Sequence, residues 1–145
     1  MSNLIHDNNT TISELTKKLA TTLTERGLRL TTAESCTGGN LAVALCAEEN
    51  TAEFYDVGMV VFSDAAKERI LGVRHETIER FTAVSEQTVT EMAAKIRDIA
   101  EADIGVAISG YAGPEGGDDG TAAGTVCFGW NIRGQTETRT VLFSG

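Results

Sequence analysis

Residues 28–46 read LRLTTAESCTGGNLAVALC, and they contain the patterns of a strand, a turn and a helix in direct succession. Residues 28–33 favour a β-strand, residues 34–39 form a polar turn that ends in two glycines, and Asn40–Cys46 predicts a short apolar helix. Ligands of open α/β sheets bind beyond the carboxyl ends of the strands. The turn is therefore a candidate site.

The chain before this stretch predicts one helix. Residues 11–14 (TISE) place a hydroxyl three residues ahead of a carboxylate, which is the pattern of a capping box. Gly27 stands where a C-cap glycine belongs. The apolar side chains at helical spacing between them are Ile12, Leu15, Leu19 and Leu23. We predict a disordered lead-in over residues 1–10 and a single domain over residues 11–145.

Two more helices follow a second strand, which is predicted within residues 55–62. Ser63 is a good N-cap for a helix over residues 64–71, and Gly72 ends that helix. Ser85 is predicted to cap the longest helix, which has one apolar stripe. The stripe consists of Val89, Met92, Ala93, Ile96 and Ile99.

The last third of the chain predicts mainly β-structure. Residues 104–108 are a short apolar run, which suits a strand buried on both faces. Residues 125–131 and 138–143 predict two strands of a hairpin around Arg133-Gly134. Because strands and helices alternate first and a hairpin comes last, we predict an α/β fold with a mixed sheet and helices packed on it.

Charge and composition argue against several classes of function. The formal net charge is −9, which argues against a nucleic-acid partner, because phosphate binding needs clustered Lys and Arg. No apolar segment has the length of a membrane span, and the first residues lack the pattern of a signal peptide. The cysteines Cys36, Cys46 and Cys127 are widely spaced and form no disulfide framework. We therefore predict a reduced, cytoplasmic protein.

A second glycine-rich segment, residues 110–120, also follows a predicted strand. It lacks the G-K-[ST] ending of a phosphate-binding loop. Its carboxylates, Glu115, Asp118 and Asp119, are compatible with a bound cation or with a solvated acidic tip, and no ligand spacing supports the cation. His6 and His75 are isolated in the sequence, so we predict no metal site and no cofactor.

The first turn allows two interpretations. Ser35 and Thr37 precede a helix, where free backbone N–H groups favour an anion or an oxyanion, but the two hydroxyls are also compatible with simple capping. A nucleophilic Ser35 needs a base, and neither histidine has a suggestive context. Lys67 follows the second strand and is the remaining choice, because a desolvated lysine can accept the serine proton. The alternative for Lys67 is a solvated surface lysine.

A series of motifs in one order resembles a known family. The motifs are TAESCTGG (32–39), FSDAAK (62–67), LGV (71–73), AVSE (83–86), SGYAGPEGG (109–117) and GTV (124–126). The first resembles the family's opening signature without a departure, and the second resembles its Y-S-N-x-x-K segment. On these motifs the chain is identified as a member of the CinA C-terminal-domain family.

The resemblance implies a three-layer α/β/α sandwich with a mixed sheet, usually as a homodimer. It also implies hydrolysis of nicotinamide mononucleotide to nicotinic acid mononucleotide and ammonia, without a metal. By position, Ser35 is the implied nucleophile, Lys67 its base and Ser109 a hydroxyl near the substrate. The residues implied to bind the substrate are Thr37, Gly38, Gly39, Thr51, Phe62 and Gly110.

Several positions depart from the family pattern. The tyrosine of Y-S-N is Phe62 here, the second serine of a G-S-S segment falls at Ala52, and a K-P pair is replaced by Thr121-Ala122. The family continues past the last strand with an Asp-Arg pair and a closing helix. We therefore expect the domain over residues 11–145 to lack a final helix and to expose an apolar strip on one sheet face. Two functions stay open: a working amidohydrolase, and a paralogue that binds a nucleotide without hydrolysing it.

Overall fold

The structure is a computed structural model that describes the backbone of residues 2–144 and the side chains of residues 11–144. The helices are α1 (Ser2–Arg26), α2 (Asn40–Cys46), α3 (Asp64–Ala66), α4 (His75–Phe81) and α5 (Glu86–Ala100). The strands are β1 (Leu30–Glu34), β2 (Tyr55–Val60), β3 (Ile104–Gly110), β4 (Thr125–Ile132) and β5 (Gln135–Leu142). A 3-10 turn covers Thr51–Glu53, and a π-helical turn over Lys67–Leu71 continues α3. Met1 and Gly145, the outer limits of the predicted lead-in and domain, lie outside the described residues.

The five strands form one mixed sheet in the order β2-β1-β3-β4-β5. The central strand pairs β1–β2 and β1–β3 are parallel, and β3–β4 and β4–β5 are antiparallel. Parallel strands need a crossover, and helices lie between β1 and β2 and between β2 and β3 in the chain. The last two strands are joined at Arg133 and Gly134, whose φ angles are 52° and 96°. Positive φ at both positions is typical of a tight hairpin turn. The predicted mixed sheet is confirmed.

Helices cover the sheet on both faces, so the predicted three-layer α/β/α fold is also confirmed. On one face, Ala20 of α1 and Leu45 of α2 pack with Leu30 and Phe54. On the other face, the buried stripe of α5 packs on Ala33, Ala107 and Cys127; this stripe is Val89, Met92, Ala93 and Ile96.

Glycines in the sheet let α5 approach closely. A Cβ atom on Gly105 would collide with the carbonyl of Ala93, and a Cβ on Gly129 would lie 2.7 Å from the carbonyl oxygen of Val89. The backbone of α5 therefore rests directly on β3 and β4.

Three helix predictions differ from the structure. Helix α1 begins at Ser2 and not near residue 11, because no glycine or proline interrupts residues 2–26 and a helix that has started extends at little cost. Helix α4 was not predicted, because its seven residues show no clear apolar period. Ile99 was predicted within the α5 stripe but is 46% exposed, since it lies at the edge of the stripe in the last turn.

One part of the sheet carries apolar side chains that the described helices do not cover. Val106 pairs with Trp130 and Ile104 pairs with Ile132, so these side chains share the face on which α1 and α2 pack. Trp130 is only half-buried and Ile132 is 48% exposed. We call this surface of β4, formed by Phe128, Trp130 and Ile132, the open face. An exposed apolar strip on one sheet face was expected. No helix among the described residues has the length and hydropathy needed to cross a bilayer.

Candidate functional site

Ser35 lies where β1 ends and the chain turns towards α2. Its backbone N–H donates to the carbonyl of Ile108 at 3.0 Å, which ties it to the end of the neighbouring strand β3. The turn then passes through Gly38 and Gly39, whose φ angles of 57° and 101° are left-handed and favour glycine. We call residues 35–39 the serine loop. Ser35 itself is buried.

Lys67 contacts Ser35 directly. Its Nζ donates to Ser35 Oγ at 3.0 Å and to the carbonyl oxygen of Phe62 at 3.0 Å. Ser35 Oγ also donates to the Phe62 carbonyl, at 3.4 Å. Lys67 is 1% exposed, so the alternative of a solvated surface lysine is wrong. The two side chains lie within the reach that a nucleophile and its base require.

The helix start after β2 orients Lys67 inward. Ser63 caps α3 by accepting from the N–H of Ala66 at 3.0 Å, as the sequence predicted. The backbone then widens into a π-helical turn that begins at Lys67 and ends at Gly72, where φ is 83°. Such π turns are frequent at functional sites. Here the turn contains the two buried side chains Lys67 and Leu71.

Burial sets the protonation behaviour of this pair. Loss of solvation lowers the pKa of Lys67 from its ordinary value of 10.5, and the negative charge of Asp64 opposes that shift. Cys36, beside Ser35, has a pKa raised mainly by burial. A lysine with a lowered pKa is neutral in a larger fraction of molecules near neutral pH. Such a lysine can act as a base.

Glu34 is a buried charged residue next to Ser35 that the sequence reasoning did not single out. Its side chain is 1% exposed, and its Oε1 accepts from Thr37 Oγ1 at 2.6 Å and from the N–H of Leu41 at 3.0 Å. Its Oε2 accepts from the N–H of Ala42 at 2.9 Å. The available signal was a charged residue at the end of a strand otherwise suited to burial, since buried carboxylates need partners.

These contacts change the interpretation of the helix start. Gly39 is the N-cap residue of α2, and no side chain at that position caps the helix. The proposed capping by Ser35 and Thr37 is therefore wrong, because the carboxylate of Glu34 accepts from the first N–H groups of α2. The same carboxylate occupies the place in which an external anion was expected.

Ser109 and Gly110 end strand β3 beside the serine loop. Ser109 is buried and lies one position beyond Ile108, the residue that accepts from Ser35 N–H. A Cβ on Gly110 would lie 2.7 Å from the carbonyl oxygen of Thr125, so only glycine fits there without a shift. The loop that begins at Gly110 and the serine loop thus start at the same edge of the sheet, where the sequence predicted a site.

Of two further residues expected at the site, Phe62 lies beside the Ser35 and Lys67 pair and Thr51 does not. The carbonyl of Phe62 contacts Lys67, whereas its side chain is 73% exposed. Thr51 Oγ1 donates to carbonyls at the end of α2, including that of Leu45 at 3.2 Å. The structure does not bring Thr51 to Ser35. Its hydroxyl instead ties the 3-10 turn to the end of α2 and to the Glu48 carbonyl that follows it.

The second glycine-rich segment forms a long loop over residues 110–124, which we call the glycine loop. Its base is closed by Tyr111 N–H donating to Thr125 O at 3.0 Å and Gly124 N–H donating to Tyr111 O at 2.6 Å. The pKa of the Tyr111 phenol is raised by burial and then by the charges of Asp119 and Asp64. Tyr111 packs against the same apolar cluster as Ala66, the residue before Lys67.

No metal centre is found among the residues that the structure describes, since they contain no group of three His, Cys, Asp or Glu side chains suited to a metal ion. The chemistry available to the site is that of the buried serine and lysine pair, flanked by backbone N–H groups of the serine loop.

A family profile described as the CinA C-terminal domain matches residues 12–145. Protein YdeJ from Escherichia coli (strain K12) is 54% identical over 135 residues, which are 93% of this chain and 78% of that protein. Nicotinamide-nucleotide amidohydrolase PncC from Enterobacter agglomerans is 42% identical over 135 residues, which are 92% of this chain and 82% of that protein.

Solved structures agree with the fold. The crystal structure of a competence or damage-inducible protein from Enterobacter asburiae has a TM-score of 0.91 at 85% identity, and the match covers 92% of this chain and 84% of that one. The competence/damage inducible protein CihA from Agrobacterium tumefaciens has a TM-score of 0.88 at 36% identity, with 92% and 81% covered.

Proposed function

Because the chain belongs to the CinA C-terminal domain family, we propose that it is an amidohydrolase that converts nicotinamide mononucleotide to nicotinic acid mononucleotide and ammonia. The observation that carries the proposal is the 3.0 Å contact between the buried side chains of Lys67 and Ser35. A buried serine and lysine in contact are a costly arrangement unless they do chemistry. A relative named nicotinamide-nucleotide amidohydrolase supports the choice of substrate.

In the proposed reaction, Ser35 Oγ attacks the carboxamide carbon while neutral Lys67 takes the hydroxyl proton. The carbon–nitrogen bond then breaks, and the proton on Lys67 leaves with the nitrogen as ammonia. Water attacks the acyl-serine ester with Lys67 again as the base. The carboxylate product departs, and the serine hydroxyl is restored.

Backbone N–H groups of the serine loop are proposed to hold the oxyanion that forms on the carboxamide oxygen. The N–H of Gly38 is already used, because it donates to the carbonyl of Ser35 at 3.0 Å. Among the hydrogen bonds of the described residues, the N–H groups of Thr37 and Gly39 have no acceptor. Donors of this kind stabilise negative charge as it develops in the transition state. Ser109 is proposed as a further hydroxyl near the substrate.

The exposed side chain of Phe62 and the backbone at Gly110 are proposed to border the substrate. Phe62 offers an aromatic face but, unlike the tyrosine expected from the family motif, no phenolic hydroxyl. We propose that this lowers activity without removing it, since the phenol would contribute only one hydrogen bond. A cytoplasmic location, a homodimeric assembly and the division into residues 1–10 and 11–145 remain predictions for this chain.

The test is hydrolysis of nicotinamide mononucleotide by the purified protein, followed by chromatography of the products and an ammonia assay. We expect equal amounts of ammonia and nicotinic acid mononucleotide. Ser35→Ala should lower turnover by about a thousandfold or more, because the nucleophile is lost. Binding of the nucleotide without any product from the unmodified protein would refute the amidohydrolase and support a nucleotide-binding paralogue.

A further inference from the structure

A single buried carboxylate joins the two ends of the serine loop. Glu34 is the last residue of β1, and Leu41 and Ala42 are in the first turn of α2. The carboxylate accepts from both of these N–H groups and from the hydroxyl of Thr37 in the middle of the loop. Three donors, two from α2 and one from the loop, therefore converge on one side chain of β1.

The loop needs such a constraint, since its two glycines restrict the backbone little and make few packing contacts. Gly38 and Gly39 have positive φ angles, and glycine restricts the backbone less than any other residue. A Cβ atom on Gly38 would have nothing within 4 Å, so packing does not fix this part of the loop. The hydrogen bonds to Glu34 are charge-assisted and are stronger than bonds between neutral groups.

Glu34 does not have the contacts of a base for Ser35. Its recorded hydrogen bonds go to Thr37, Leu41 and Ala42, whereas Ser35 Oγ bonds to Lys67 and to the Phe62 carbonyl. The negative charge that acts most strongly on Lys67 is that of Asp64. Any effect of Glu34 on the chemistry therefore passes through the position of the loop.

We infer that Glu34 is a positioning residue that holds Ser35 against Lys67 and fixes the loop N–H groups that face the substrate. This inference rests on the proposed function, because it assumes that Ser35 is the nucleophile. It also explains why a carboxylate is buried at this place, since it accepts from the N–H groups at the start of α2.

The test measures the reactivity of Ser35 without the nucleotide. A fluorophosphonate labels an activated serine by losing fluoride, and intact mass gives the rate of labelling. Glu34→Gln keeps the size of the side chain but replaces one acceptor oxygen by an NH₂ group. We expect labelling of Ser35 to slow by tenfold or more, on the order of the loss that a small misplacement of a reacting group causes.

Glu91→Gln is the matched control. Glu91 also accepts from a backbone N–H, that of Arg74 at 3.0 Å, and from a threonine hydroxyl, that of Thr77. It serves the start of α4 in the same way but has no contact with the serine loop. This variant should keep the labelling rate within about twofold, as expected for a change remote from the reacting group.

The pH profile separates a positional effect from an electrostatic or merely structural one. Glu34→Gln should lower the plateau of the labelling rate and leave the pH at which labelling rises unchanged. Thermal unfolding should show that the variant is folded. Thr37→Val, which removes one of the three donors, should slow labelling by about threefold, as the loss of one hydrogen bond would.

Several results would overturn the inference: labelling by Glu34→Gln within twofold of the unmodified rate, a shifted pH profile, or no labelling of Ser35 in the unmodified protein. If Glu34→Gln does not fold, Thr37→Val decides, and an unchanged rate in that variant rejects the inference. Turnover of nicotinamide mononucleotide is measured separately. Labelling that responds to Glu34 in a protein without such turnover would reject the proposed substrate and keep the positioning role.

Discussion

The serine loop and the glycine loop both follow a strand of the same sheet and both are rich in glycine, but they are held in different ways. The serine loop is short, and the buried carboxylate of Glu34 joins its two ends. The glycine loop is closed by backbone hydrogen bonds at its base around Tyr111, and most of its tip from Pro114 to Gly120 is exposed. We propose that the two loops have different roles. The serine loop holds the catalytic residues in fixed positions, and the glycine loop is an adaptable border of the substrate site.

The largest effect is expected at the lysine beside the serine loop. Lys67→Met keeps the length and the apolar stem of the side chain but removes the base. We expect kcat to fall by about a thousandfold while the circular dichroism spectrum is unchanged. Lys95→Met, a change of the same kind at an exposed position of α5, should leave kcat unaltered. If the kcat of Lys67→Met stays within tenfold of that of the unmodified protein, Lys67 is not the base for Ser35.

A smaller effect is expected in the glycine loop. The Cβ atom of Gly117→Ala would lie 2.6 Å from the ring of Tyr111 and 2.6 Å from Asp119 Oδ1, so these side chains must move. We expect KM for the nucleotide to rise by roughly tenfold with kcat changed by less than about threefold, because an adaptable border affects binding more than chemistry.

The control for this change is Gly134→Ala in the β4–β5 turn. Unlike Gly117, Gly134 has a positive φ angle, but nothing lies within 4 Å of a Cβ there, so alanine strains only the backbone of an exposed turn. Steady-state kinetics of this variant should match those of the unmodified protein. If Gly117→Ala lowers kcat and leaves KM unchanged, the glycine loop takes part in the chemical step. The proposed difference between the two loops would then be wrong.

The smallest effect is a change in pH dependence. Lys67 acts as a base only when neutral, so activity rises with pH through the pKa of Lys67, which burial lowers. The charge of Asp64 raises that pKa, so Asp64→Asn lowers it further and moves the rise in kcat/KM to lower pH. A shift to higher pH, or none, would show that Asp64 does not act on the base.

The sequence predicted the parts of the site that depend on local pattern. The bounds of α2 and the caps at Ser63 and Ser85 follow from residue spacing, and the structure has them where expected. The pairing of Ser35 with Lys67 needed the family resemblance, since 32 residues separate the two positions. Spacing alone left Lys67 open as a surface residue.

The sequence could not predict the hydrogen bonds of Glu34 or the position of Thr51 away from Ser35. Glu34 bonds to N–H groups at the start of α2, and Thr51 bonds to carbonyl groups at its end. The positions of these backbone groups are set by how the helix packs on the sheet. A hydroxyl or carboxylate near a helix end is compatible with a ligand or with the helix itself. Only the three-dimensional arrangement decides between them.

The open face gives the protein an intrinsic optical reporter. Trp130 is the only tryptophan of the chain, and its half-buried indole lies on this surface. Its emission spectrum therefore reports on the polarity at this one place. Any apolar segment or molecule that binds over Phe128 and Trp130 would shift the emission to shorter wavelength. Fluorescence can thus detect a change at the open face without an added label.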